Sequence, residues 1–233
     1  SDGKISGVSY FGYEDNFTLS RVYFTYKKSI SDDLSFKFQT DVGKIDEASS
    51  AGENGDVDND NRWMAFLKKA HIDWKVADKT KISMGMIGMN MFNVQEKTWG
   101  YRFLRKSALD QYKLSATADL GVSISKDFGF LYTNLSMTNG EGYKESVVDD
   151  NNKISIQLVH GERRLDKNDG YNIGLVYSAV MDANDDETTV MGLFGGWAGN
   201  NMRIGAELNN QSEEEFRSRA SYICSTWRSR RKK

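Results

Sequence analysis

Leu34-Ser-Phe-Lys-Phe-Gln-Thr-Asp-Val42 alternates apolar and polar residues almost without a break. A β-strand sends successive side chains to opposite faces, so Leu34, Phe36, Phe38 and Val42 fall on one side. Ser35, Lys37, Gln39 and Asp41 fall on the other. Met202-Arg-Ile-Gly-Ala-Glu-Leu-Asn209 repeats the pattern near the other end of the chain. Comparable two-faced runs fill most of the intervening sequence. A long series of such strands, with few other elements, is the signature of an all-β, antiparallel transmembrane β-barrel.

The composition agrees. Hydrophobic residues make up 39% of the 233 residues and charged residues 27%, a polar balance for a chain with a thick apolar core. A barrel reconciles the two, because its apolar side chains face lipid and its polar ones face water. Proline is absent, as long paired strands demand, while 21 glycines argue against a long helical protein. The 11 Tyr and 5 Trp suit membrane–water interfaces. The single Cys224 rules out an internal disulfide framework. No apolar run is long enough for a transmembrane helix. No signal peptide is visible, so a removed leader and a mature or trimmed chain are expected. Seven of the basic residues and none of the acidic ones lie from Phe216 onward, leaving an acidic body that argues against nucleic-acid binding.

Periodicity predicts strands over 4–13, 17–28, 34–43, 64–76, 80–89, 114–125, 130–139, 153–160, 171–180, 188–198 and 202–209, with a weaker twelfth near 216–227. The expected fold is a barrel of at least 11–12 strands over residues 1–210, followed by an atypical basic tail, 211–233. The connections alternate in length: tight at 29–33, 77–79 and 126–129, long at 44–62, 90–113 and 140–152. Short periplasmic turns opposite long extracellular loops are characteristic of bacterial outer-membrane barrels. Eleven or more closed strands enclose a lumen too wide for side chains to fill, so the apolar face is expected to point outward.

Three regions carry a family resemblance. Arg21-Val-Tyr-Phe-Thr-Tyr-Lys-Lys-Ser-Ile-Ser-Asp-Asp-Leu-Ser-Phe-Lys-Phe-Gln-Thr-Asp-Val42, and Lys69-Ala-His-Ile-Asp-Trp-Lys75 with Ile82–Gly88, resemble successive hairpins of bacterial outer-membrane porins. The similarity is greatest to the group related to the phosphate-selective porins O and P. Trp99-Gly-Tyr-Arg-Phe-Leu-Arg-Lys-Ser-Ala-Leu-Asp110 resembles the long-loop segment that in this group folds toward the channel. The resemblance implies a passive diffusion channel for small hydrophilic solutes in the outer membrane of a Gram-negative bacterium, in contact with lipid and lipopolysaccharide. Such porins are commonly trimeric, which makes a homotrimer an expectation, and phosphate the anion to consider. They often have sixteen strands and close on an aromatic residue. This chain ends Arg228-Ser-Arg-Arg-Lys-Lys233, so truncation or a misread final strand is expected.

Strand parity predicts an inward set of Arg21, Lys27, Lys37, Lys69, Lys75, Lys81, Lys153 and Arg203 against Asp41, Asp73, Asp119 and Glu207, with His71 among them. Bases outnumber acids two to one, which predicts a mild anion preference, because charged rings set selectivity in wide pores. Arg102, Arg105 and Lys106 are constriction-loop candidates that strengthen it if the loop dips inward. The opposing reading is that these charges pair across strands and only keep the wall wet.

Other motifs carry less. Asp56-Val-Asp-Asn-Asp60 starts like a calcium loop, but Asn61 and Leu67 stand where an EF-hand needs Gly and Glu. Asp182–Glu187 reads as a solvated acidic loop. His71 and His160 lack partners for zinc. Trp63, Trp74, Trp99, Tyr101 and Trp197 are candidates for an interfacial girdle. No nucleophile elbow, phosphate loop or dinucleotide fingerprint is present, so no catalytic residue, metal or cofactor is expected. The rival readings are a barrel serving as surface adhesin or structural anchor, a barrel-embedded enzyme and a soluble binding barrel.

Overall fold

In the computed structural model, residues 2–11, 17–44, 63–100, 106–144, 151–181, 187–213 and 220–230 are described. They form twelve strands: β1 Asp2–Phe11, β2 Phe17–Ser29, β3 Leu34–Lys44, β4 Trp63–Ala77, β5 Thr80–Gly88, β6 Ala118–Asp127, β7 Tyr132–Thr138, β8 Asn152–Gly161, β9 Gly170–Met181, β10 Glu187–Gly199, β11 Met202–Glu213 and β12 Ala220–Arg230. Each strand pairs with the next in one antiparallel sheet, ordered β1 to β12 without a crossover. The expected twelfth strand is there, paired with β11 through contacts such as Leu208↔Ile223. At one end of the sheet the connections are 30–33, 78–79, 128–131, 162–169 and 200–201. The opposite end carries the longer ones, 45–62, 89–117 and 139–151, together with three short links.

The burial pattern is inverted relative to a soluble sheet. Along β7, Asn134, Ser136 and Thr138 are buried while Leu135 and Met137 are 48% and 53% exposed. Along β8, Lys153, Ser155 and Gln157 are buried and Ile154 is exposed. The same holds for Ser123 against Val122 and Ile124, and for Arg203 and Asn209 against Leu208. A hydroxyl row follows the register round the buried face: Ser83↔Ser123, Ser123↔Ser136, Ser136↔Ser155 and Ser155↔Ser178. The Ser136 and Ser155 hydroxyls lie 2.6 Å apart in a hydrogen bond. Burial on one face without a second sheet requires curvature, and the inserted segment 89–117 demonstrates it. Its helix α1, Gln95–Trp99, is about 7.5 Å long by the usual helical rise. Yet residues 95–99 hydrogen-bond to Gln157 of β8, Asn172 of β9 and Arg203 of β11. Flat strands would spread those partners over about 14 Å. The sheet is therefore curved like a barrel wall, with its polar face concave, and among the described residues no pairing joins β1 to β12.

Segment 89–117 accounts for one departure from the expected strands. Residues 114–117, expected to open β6, instead complete the inward excursion, and Met89 N–H donates to the Thr117 carbonyl at 3.1 Å where it leaves and returns. Part of the concave face is apolar after all. Val159, Val176, Val190 and Phe194 point inward and pack with Met89, Met91, Phe92, Val94, Leu109 and Leu114 of the insert. These residues form a small core inside the barrel, and burying them favours docking of the insert by about 25 cal/mol per Å² of apolar surface.

Candidate functional site

The insert divides the lumen. One side, against β8–β11, is filled. The other, against β2–β7, is a cavity of about 730 Å³. Its lining includes Lys27, Lys28, Lys37, Lys69 and Lys81, with His71, Ser83, Ser123, Asn134, Asn93 and Tyr132. Asp73 is its one acidic lining residue among those described. Register places the bases together: Lys27 pairs with Lys37, and Lys37 with His71, in one row across β2, β3 and β4. Lys69 lies one inward step further along β4. Lys37 accordingly has Lys27, Lys69 and Lys81 as charged neighbours against Asp73 alone.

Asp73 is already engaged. Its carboxylate accepts a hydrogen bond from the Ser83 hydroxyl, and Lys81 Nζ lies 3.1 Å away. His71 Nε2 is 3.8 Å from the same group. The other ring nitrogen, Nδ1, is 3.1 Å from the Met86 carbonyl. A carbonyl only accepts, so Nδ1 carries the proton. Two like charges about 6 Å apart repel by roughly 3 kcal/mol at an effective dielectric of about 20. A cluster of lysines around one committed carboxylate is therefore a region that an entering anion stabilises.

The remaining charged residues of the inward set serve the insert and the loops. Arg203 donates to the Leu165 carbonyl and to the Trp99 carbonyl, both at 3.2 Å, beneath the insert. Glu207 accepts from the Ala108 N–H at 2.7 Å, at the start of helix α2, Ala108–Gln111. Lys153 donates to Ser115 at 2.8 Å. Asp119 accepts from the Leu120 and Gly140 N–H groups. Asp41 accepts from the Tyr143 hydroxyl at 2.6 Å. Lys75 turns to the rim and donates to the Asp32 carbonyl. The Arg21 side chain, like Arg102 and Arg105, lies outside the described residues. Lys106 is exposed on the insert.

Sequence parity passed over Lys68. The register between β3 and β4 slips between Gln39 and Thr40, so Lys68 and Lys69 both avoid the convex face. Lys68 is buried, 3.6 Å from Asp41. A bulge of this kind has no signature in an alternation pattern, because it is the extra residue that breaks the alternation. Tyr132 and Arg163 also escaped notice. The Arg163 guanidinium stacks 3.9 Å from the Tyr132 ring centre and pairs with Asp127 at 3.0 Å, at the turn end of the cavity.

The outer surface carries an aromatic band at the turn end. Trp74, Phe128, Phe130, Tyr171 and Trp197 are all exposed there, and Trp63 is exposed at the opposite end of β4. Trp99 does not join them, because it closes α1 inside the barrel. Tyr101 and both acidic loop clusters, 56–60 and 182–187, lie outside the residues whose side chains are described, as does the side chain of Cys224. Among the described residues no helix is long and apolar enough to cross a membrane, and no group of three or more His, Cys, Asp or Glu converges.

No family model and no curated protein matches the chain. Solved structures do show similarity. An anion-selective porin from Comamonas acidovorans aligns with a TM-score of 0.41 and 11% identity, over 87% of this chain and 71% of that one. OmpF of Salmonella typhi, in complex with daunomycin, aligns with a TM-score of 0.40 and 11% identity, over 97% and 82%.

Proposed function

We propose that this protein is a bacterial outer-membrane porin, a non-enzymatic, water-filled channel for passive diffusion of small hydrophilic solutes with a preference for anions. The observation that carries the proposal is the inverted wall around a basic cavity. Leu135, Met137, Ile154 and Val122 face outward while Ser136, Ser155, Gln157 and Ser123 face in. In water, a band of large apolar side chains that covers a sheet face drives aggregation. In a bilayer it is the solvated side, and the closely paired backbone satisfies its own polar groups. The exposed aromatic band at the turn end fits the interface with lipid headgroups.

Selectivity follows from the lining. Lys27, Lys28, Lys37, Lys69 and Lys81 outnumber Asp73, so anions concentrate in the cavity and cations are repelled. Phosphate is one such anion. Assembly as a homotrimer and contact with lipopolysaccharide belong to the same reading. The test is the reversal potential of the purified chain in a planar bilayer under a salt gradient. An anion-selective sign supports the proposal; a cation-selective sign, or a barrel that never conducts, removes it. The adhesin or anchor reading has no specific observation behind it among the described residues.

A further inference from the structure

Residues 139–144, which follow β7, do not stand clear of the barrel. Asn139 N–H donates to the Leu120 carbonyl and Tyr143 N–H to the Ala118 carbonyl, so the segment lies along the loop end of β6. From there Tyr143 reaches across to β3, where its hydroxyl donates to Asp41 at 2.6 Å. Lys68 of β4 completes the contact. Its Nζ lies 3.6 Å from the Asp41 carboxylate, 3.2 Å from the Tyr23 hydroxyl, and between the Tyr23 and Tyr143 rings at 4.9 and 5.0 Å from their centres. The next residue, Lys144, sets its Nζ 5.2 Å from the centre of the Phe66 ring on β4.

The arc this segment bridges, β3 to β7, lies within the arc β2–β7 whose side chains line the lysine cavity. Lys69, which lines the cavity, is adjacent in sequence to Lys68. Asp41 is four residues from Lys37 toward the loop end, about 13 Å by strand rise. The Tyr143 contact thus lies on the loop side of the strands that line the cavity, and it is almost wholly buried at Asp41 and Lys68.

We infer that Tyr143 is a size-determining residue of this channel: it narrows the entrance to the lysine cavity on the loop side, and its contact with Asp41 and Lys68 holds the ring in place. This rests on the channel reading above. A solute passing from the loop side to the lysines moves past the Tyr143 ring, and the aperture is set by how firmly the ring is held. Asp41 and Lys68 act through Tyr143 and position it.

The experiment compares wild type with Tyr143→Ala, Tyr143→Phe and Asp41→Asn, refolded into liposomes and planar bilayers. Readouts are unitary conductance and the largest neutral sugar that swells the liposomes. Tyr143→Ala is expected to raise conductance about twofold, as widening of a local constriction does, and to admit larger sugars. Tyr143→Phe, which keeps the ring and loses its hydroxyl donor, is expected to fall between. If conductance and sugar limit match wild type in both Tyr143 variants, with strand content retained by circular dichroism, the inference is overturned while the anion selectivity of wild type still stands. Should Tyr143→Ala fail to refold, an unchanged Tyr143→Phe and Asp41→Asn overturn it equally. A wild-type chain that opens no channel overturns both readings.

Discussion

Glu207 of β11 accepts a hydrogen bond at 2.7 Å from the backbone N–H of Ala108, a residue 99 positions earlier in the chain. Four residues away on the same inward face, Arg203 holds the carbonyls of Trp99 and Leu165. One strand thus clamps both helices of the lumen insert, and the turn 162–169 with them. The position of the insert decides which half of the lumen remains open.

Glu207→Ala removes the acceptor and leaves the Ala108 N–H unpaired under the insert, a loss of about 1–3 kcal/mol. The expected outcome is a lower urea midpoint for the refolded barrel and noisier single-channel currents, with Glu207→Gln close to wild type. Unchanged stability and a quiet current in the alanine variant argue that the insert is anchored elsewhere.

Charge reversal in the cavity tests selectivity. Lys37→Glu and Lys69→Glu each replace a positive by a negative group in the lining of the same cavity. Each is expected to move the reversal potential toward cation selectivity, and the pair together further than either. Asp73→Asn is expected to move it the other way. A reversal potential indifferent to all three excludes the cavity as the selective region.

Leu135 tests the solvent of the outer face. It is 48% exposed next to buried Asn134 and Ser136. Leu135 stands at the middle of β7, so Leu135→Lys is expected to cost about 2–4 kcal/mol in a bilayer. Folding efficiency into liposomes, titrated with urea, measures it. In a water-facing sheet the same change is neutral or improves solubility, so a neutral result defeats the membrane reading.

Gly196 is where α1 seats. A Cβ there would stand 2.5 Å from Thr98 Cγ2 and 3.1 Å from the Ile204 carbonyl. Gly196→Val is expected to push α1 off the wall and increase protease cutting within 89–117. An insert that stays protected shows that the seat tolerates a side chain.

The turn pair Arg164–Asp166 predicts a small acid-side effect. The two groups meet in two hydrogen bonds at 2.8 and 2.7 Å. Burial pushes the Asp166 carboxyl up, but the bond and charge of Arg164 outweigh it and hold it below the ordinary carboxylate range. Because the folded-state value is depressed, the pair adds stability above the unfolded value of about 3.9, and that share is lost as pH falls through the folded value. The pair is partly exposed, so the effect lies within about 1 kcal/mol. Asp166→Asn is expected to lower the melting temperature at neutral pH and to have no effect in strong acid. A difference that persists in acid assigns the effect to something other than the ion pair.

Much of the wall was legible from period two alone. Leu34, Phe36 and Phe38 against Ser35, Lys37 and Gln39 identify the strands and the two faces, and an aqueous lumen explains why the polar set is the inner one. Period two placed Lys27, Lys37, Lys69, His71, Asp73 and Lys81 on one face, and these line the cavity, whereas Lys75, from the same reading, turns to the rim. Lys68 did not follow from it, because a bulge adds a residue that no alternation pattern anticipates. Nor did the inward valines, Val159, Val176 and Val190, which sit at polar-face positions because the insert covers them.

The sequence by itself determined that this chain forms antiparallel strands with one oily and one wet face, since strand geometry converts alternation into faces through local sterics. Tertiary structure alone decided which of the wet-face charges meet open space. Lys27, Lys37, Lys69 and Lys81 line the cavity, whereas Lys153, Arg203 and Glu207 bind the insert. The physical reason is that parity specifies the side of the sheet but not what lies opposite it. That depends on where 89–117 packs, through contacts between residues up to about a hundred positions apart.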